Sequence, residues 1–158
     1  MNVKNILAFI ICIAIPQLAG GVGALFTSAN IPTWYASLAR PDLAPPNWVF
    51  GPVWTILFLL MGIALFIVWR RGQEKEWVSG ALALFATQLV LNVLWSILFF
   101  GLRSPGLALI EIGVLWLAIL ATIFSFSQLA KTAGLLLVPY LLWVSFAAYL
   151  NYGIWSLN

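Results

Sequence analysis

Charged residues are sparse along this chain, and long uncharged stretches separate them. The windows Asn5 to Ala39, Leu43 to Trp69, Trp77 to Leu102 and Thr132 to Asn158 carry no charge, and Ser104 to Ala130 is interrupted only by Glu111. A helix needs ~20 mostly apolar residues to cross ~30 Å of hydrocarbon, and every window exceeds that. The pattern predicts five transmembrane helices, at about Asn5 to Thr27, Trp48 to Trp69, Val78 to Phe100, Pro105 to Phe126 and Gly134 to Trp155. The fold class that follows is an all-α membrane protein, a five-helix bundle filling residues 1–158 as a single transmembrane domain. Lys4 ahead of an apolar run, with Ala19-Gly20-Gly21 beyond it, also has the outline of a cleaved leader. Cleavage there would discard glycines that suit close helix packing, so the first window reads as a span that stays.

The links differ in kind. Arg70-Arg71-Gly72-Gln73-Glu74-Lys75-Glu76 reads as a short solvated hairpin, and Gly101 to Ser104 as a tight turn before Pro105, a residue suited to a first helical turn. Ser28 to Asn47 carries Pro32, Pro41, Pro45 and Pro46 and is too long for a turn. Loops of that length are often functional, and this one is predicted to be a lid.

Composition sharpens the exclusion of a soluble domain. Apolar residues make up 64% and charged residues 7% of the 158, where a soluble domain is roughly a quarter charged. Lys4, Arg70, Arg71, Lys75 and Lys131 share one membrane face, while Arg40 and Arg103 share the other. In a cytoplasmic membrane the positive-inside rule puts the N-terminus in the cytoplasm and the long loop outside. The net charge of +3 therefore speaks to topology and lipid headgroups and not to nucleic acid. A lone Cys12 excludes a disulfide framework and reads as a small packing residue. With no histidine and no ligand-spaced cluster of Cys, Asp or Glu, no metal site is expected.

Candidate chemistry emerges from helical phase and depth. Gln88, Asn92, Trp95 and Phe99 form one stripe on the third helix, and Trp143, Ala147 and Asn151 form one on the fifth. Trp54 and Phe58 stand one turn apart on the second helix, and the fourth supplies Glu111 and Trp116. Most of these lie in the half of the membrane nearer the long loop, where a polar atom must meet a partner or a cavity. One aromatic pocket with the loop as its lid satisfies that requirement. Trp48, Trp69, Trp77 and Trp155 sit at segment ends and read as interfacial anchors. Trp54, Trp95 and Trp143 are deeper, where a pocket and plain helix packing compete. Asn92 and Asn151 either line the pocket or hydrogen-bond across helices. Glu111 has three readings: a protonated acid, a partner for Arg103, or a cavity wall. A proton relay needs further acids or histidines. Gly20, Gly21, Gly23 and Ala24 on the first helix, and Gly80, Ala83 and Ala86 on the third, are small-residue faces. One could pack inside the bundle and the other form a homodimer.

The loop also carries a resemblance. Trp34-Tyr35-Ala36-Ser37-Leu38-Ala39-Arg40-Pro41-Asp42-Leu43-Ala44-Pro45-Pro46 resembles the W-Y-x-x-L-x-K-P-x-W-x-P-P signature of the TspO/MBR family, the tryptophan-rich sensory proteins and the translocator protein, formerly the peripheral benzodiazepine receptor. The likeness extends to Trp54, Asn92 and Pro139-Tyr140-Leu141-Leu142-Trp143 with Ala147, nearly the whole chain. Arg40 replaces the usual Lys and keeps its charge, whereas Leu43 replaces a Trp and removes one aromatic from the lid. Leu150-Asn151-Tyr152 is followed by no Lys or Arg, so the sterol motif proposed for the family lacks its terminal basic residue.

The resemblance implies a five-helix bundle, often dimeric, that binds porphyrins and benzodiazepine-type ligands under the first loop. Tyr35, Trp54, Asn92, Trp95, Trp143 and Ala147 match its ligand-pocket positions. Trp54 and Trp143 match tryptophans linked to light-driven porphyrin breakdown in some bacterial members, and would be the catalytic residues if that activity is present. Porphyrin is expected as a ligand, with no intrinsic cofactor. Binding, as sensor, scavenger or carrier, is the leading expectation, followed by transport and then by catalysis.

Overall fold

A computed structural model describes residues 3–72 and 77–158 of the chain. Gln73 to Glu76 of the anticipated hairpin, and with them Lys75 of the charge count, lie outside the described residues. Five helices make up the fold: α1 Val3–Thr27, α2 Phe50–Gly72, α3 Val78–Ser96, α4 Pro105–Leu129 and α5 Lys131–Leu157. All five are long and apolar enough to cross a membrane. Among the described residues there is no strand. The chain is an integral, multi-pass membrane protein.

Two boundaries depart from the hydropathy reading. α4 runs on to Leu129 and α5 begins at Lys131, so the link between them shrinks to Ala130, in an extended conformation at φ −156°, ψ 115°. Ser127, Gln128, Lys131 and Thr132 lower the hydropathy there without breaking the helix, since none of them denies the backbone its hydrogen bonds. Ala130 itself still donates to Phe126 O at 2.8 Å. At the other end of the bundle, α3 gives way at Ile97–Gly101 to one π-helical turn. This turn brings both Phe99 and Phe100 into the interior, at 2% and 7% exposure. An unbroken α-helix sets adjacent side chains about 100° apart, and would bury one of the two less completely.

Around the bundle, α1 packs on α2 and α3, α2 on α5, α5 on α4, and α4 on α3, which closes a ring. The α1–α2 crossing depends on Gly62. A Cβ there would stand 2.7 Å from Ile13 Cα and 2.8 Å from Cys12 O, so the two backbones touch where a side chain would part them. Small residues permit this kind of approach in membranes, where dispersion contacts replace the hydrophobic drive between helices. The interior of the half away from the long loop is closely packed, with a surface groove of about 410 Å³ beside α1 at Leu7, Ile11, Leu65 and Trp69. Met61, Ala64, Val68, Ala81, Ile119, Phe126 and Ala133 are essentially unexposed, and the Phe85 and Phe126 rings stack at 5.6 Å. Cys12 is buried in this packing as a free thiol.

The link Ser28 to Pro46 folds back over the other half. It includes a π-helical turn, Ile31–Tyr35, opened by Pro32, and leads into a 3-10 turn, Asn47–Val49, at the head of α2. Several connections pin it. Asn30 Oδ1 accepts from Arg103 Nε and Nη2 at 3.3 and 3.2 Å, where Arg103 has φ 51°. Asn158 grips Ala39 at both backbone atoms, each bond 3.0 Å. Pro41 lies against Gly153, where a Cβ would come within 2.6 Å of its ring.

Candidate ligand cavity

Beneath this loop the helices enclose a cavity of about 590 Å³. Its size falls within the ~300–1,000 Å³ usual for small-molecule sites. All six residues singled out in the sequence line it: Tyr35 from the loop, Trp54 from α2, Asn92 and Trp95 from α3, and Trp143 and Ala147 from α5. Helical phase accounts for the convergence. Trp54 stacks on Phe58 one turn away at 5.4 Å, and Trp95 stacks on Phe99 at 5.0 Å. Each pair presents a continuous aromatic strip to the interior. Phe50 meets Trp143 edge-on at 6.0 Å.

Polar contacts fix these walls. Asn92 Nδ2 donates to the Tyr140 hydroxyl at 2.9 Å, tying α3 to α5 through a fully buried phenol. Trp95 Nε1 donates to Asn151 Oδ1 at 3.0 Å, and Asn151 Nδ2 donates to Pro105 O at 2.8 Å, so one amide joins α3, α4 and α5. The two readings of Asn92 and Asn151, pocket lining and cross-helix bonding, are therefore both true. Trp143 is the exception. Its Nε1 is buried and has no hydrogen-bond partner among the described residues. A buried N–H without an acceptor costs about 1–3 kcal/mol, and the ring is held by its contacts with Phe50 and Phe146 and not by a hydrogen bond.

Tyr35 closes the roof. It is 4% exposed, tilted against Phe99 and Phe100 at 6.3 and 5.7 Å. The Arg40 guanidinium lies 5.5 Å from its ring centroid. Burial pushes its phenol above the usual tyrosine value, and Arg40 opposes part of that rise. The hydroxyl is thus neutral at physiological pH, a donor as well as an acceptor. Arg40 also donates to Asn47 Oδ1 at 3.2 Å, which clips the loop to the head of α2. Leu43, where the signature has Trp, is 67% exposed and stands clear of the cavity.

Glu111 does not belong to the site. It is absent from the cavity wall, and Arg103, its anticipated partner, bonds Asn30 instead. Both carboxyl oxygens are buried without a partner among the described residues, within the α4 stripe that also carries Ala108, Ile112 and Leu115. Trp116 likewise points elsewhere and donates to Ser145 Oγ at 2.9 Å. Conversely, the cavity includes Gln17, Gly51, Ser96 and Ile154, which the sequence reading passed over. Gly51 and Ile154 lie three residues from Trp54 and Asn151, so helical spacing could have found them. Gln17 and Ser96 offered no such signal.

Fold and cavity together define a class: a five-helix membrane protein built around a roofed, indole-walled chamber. The family model that matches residues 12–156 is that of the TspO/MBR family, and the chain belongs to this family. The tryptophan-rich protein TspO of Chlorobaculum tepidum is 46% identical over 155 residues, covering 98% of each chain. The translocator protein of Bos taurus is 40% identical over 146 residues, 91% of this chain and 86% of its own. The tryptophan-rich sensory protein of Cereibacter sphaeroides is 42% identical over 125 residues, 79% and 77% of the two chains.

Proposed function

We propose that this chain binds flat, apolar tetrapyrroles such as porphyrins, and benzodiazepine-type ligands, in the cavity beneath the first loop, as a sensor, scavenger or carrier. The observation that carries the reading is the chamber itself, about 590 Å³ in volume and lined by Trp54, Trp95, Phe99 and Trp143. Indole rings offer flat faces to a flat macrocycle. The names of its relatives point the same way: one is called a translocator protein and another a sensory protein.

The test is a titration of tryptophan fluorescence with protoporphyrin in nanodiscs. Saturable quenching at one equivalent supports the reading, and both Trp54→Phe and Trp143→Phe should weaken it. Curves that coincide for all three proteins would remove the cavity as the site. Light-driven breakdown at Trp54 and Trp143 is a separate question. A defined product that disappears in the double variant would establish it, whereas equal loss of the spectrum would be photobleaching.

Two further parts of the proposal concern setting. In a cytoplasmic membrane the N-terminus lies in the cytoplasm and the loop outside, on the balance of basic residues. A homodimer forms through α3, because Gly80, Ala83 and Ala86 are exposed on its outer face, whereas Gly20 and Gly23 of α1 are turned onto Phe58 and Ser96.

A further inference from the structure

We propose that the cavity's mouth is lateral, between α1 and α2 in the loop-side half of the bilayer, and that apolar ligands enter it from the lipid and not through the loop. This rests on the reading of the cavity as a ligand site and adds the route by which that site is filled.

Exposure around the cavity wall is one-sided. The exposed lining residues are Gly21, Ala24 and Ser28 at the end of α1, and Trp48, Gly51 and Thr55 at the start of α2. Every lining residue from α3 and α5 is buried or half-buried. The chamber therefore communicates with the outside along one seam. Lower down, that seam is shut where Gly62 meets the α1 backbone, and it narrows at the Gln17 Nε2 bond to Thr55 O, 3.1 Å long. Above that bond the helices part, and a Cβ built on Gly21 or Gly51 meets nothing within 4 Å.

Depth decides what lies outside the seam. Gly21 is six residues below the end of α1 and Thr55 eight below Asn47, or ~9 and ~12 Å of helix rise, which reaches into hydrocarbon. A ligand dissolved in the bilayer has already shed its water and needs only to displace an acyl chain. Entry through the roof would require releasing the Asn30–Arg103 and Asn158–Ala39 bonds and passing Tyr35 in its closed aromatic packing.

The experiment has two arms. In the first, Ala147→Cys in a Cys12→Ser background places one thiol on the cavity wall, and labelling is timed with pyrene maleimide, which partitions into lipid. Gly21→Leu and Gly51→Leu are chosen to plug the seam, since a Cβ at either position meets nothing within 4 Å, and leucine favours a helix more than glycine does. Together they should slow labelling at least tenfold. Arg103→Ala combined with Asn158→Ala, which removes two of the roof's connections, should change it less than twofold. Labelling slowed less than tenfold by the plugs, or accelerated by the roof variant with the plugs inert, overturns the proposal. In the second arm, stopped-flow quenching by vesicle-loaded protoporphyrin should show association and dissociation both slowed at least tenfold by the same plugs. Wild-type protein that gives no quenching at all would sink the porphyrin reading, while the thiol arm still decides where the mouth is.

Discussion

The two ends of the bundle are made from the same five helices, yet the interior of one is closely packed and that of the other is hollow. Away from the loop, side chains of unequal size fit together: Ala64, Ala81 and Ala133 leave room that Met61, Ile119 and Phe126 occupy. Toward the loop, large indoles stand around the wall, Trp95 braced by its hydrogen bond to Asn151 and Trp54 by stacking on Phe58, while α1 contributes glycines that cannot reach the middle. Aromatic bulk alone does not fill a core. Rigid rings whose partners hold them upright preserve an empty space between them, and the packed half carries the stability that the hollow half does not provide.

This contrast can be attacked from both sides. The largest effect is expected at the α1–α2 crossing. Gly62→Leu would push a side chain into the α1 backbone and lower thermal stability in detergent by up to ~3 kcal/mol, as overpacking does. Next comes Phe126→Ala in the packed half. The helices are already out of water before they associate, so the void dominates, and about 2 kcal/mol is expected from a hole of phenylalanine size. Trp143→Phe should leave the unfolding midpoint nearly unchanged, because it removes an N–H that has no protein partner. It should nevertheless weaken porphyrin binding about tenfold, ~1.4 kcal/mol. An unfolding midpoint that falls with Trp143→Phe as steeply as with Phe126→Ala would abolish the distinction between the halves. Asn151→Ala breaks two interhelical bonds and should cost about 1 kcal/mol in the same assay, the usual scale for such bonds in membranes. Smallest is Arg103→Ala at the exposed hook on Asn30, expected at about 0.5 kcal/mol and read as faster proteolysis of the loop.

Much of this was legible in the order of residues, for reasons that differ by level. Uncharged windows located five spans because hydrocarbon excludes charge over a fixed thickness. Phase then placed Trp54, Asn92, Trp95, Trp143 and Ala147 inward, since period and depth suffice once the helices are known. Three features resisted. The α4–α5 junction was misplaced because Lys131 and Thr132 look like loop residues by hydropathy, although neither keeps the backbone from its helical hydrogen bonds. The environment of Glu111 stayed open because its phase allowed the bundle interior without saying which interhelical space it entered. The sideways seam was invisible, since it depends on two helices diverging above Gly62 and no single residue encodes that angle.

The junction at Ala130 bears on how the protein can move. With a single residue between them, α4 and α5 have almost no slack, and the amide of Asn151 fastens them to α3 through Trp95 and Pro105. Those three staves form a fixed frame. α1 is joined to that frame by the long link of Ser28 to Pro46, and it rests on its neighbours through the rings of Phe9 and Phe26, set against Phe66 and Gly101, as well as through its glycines.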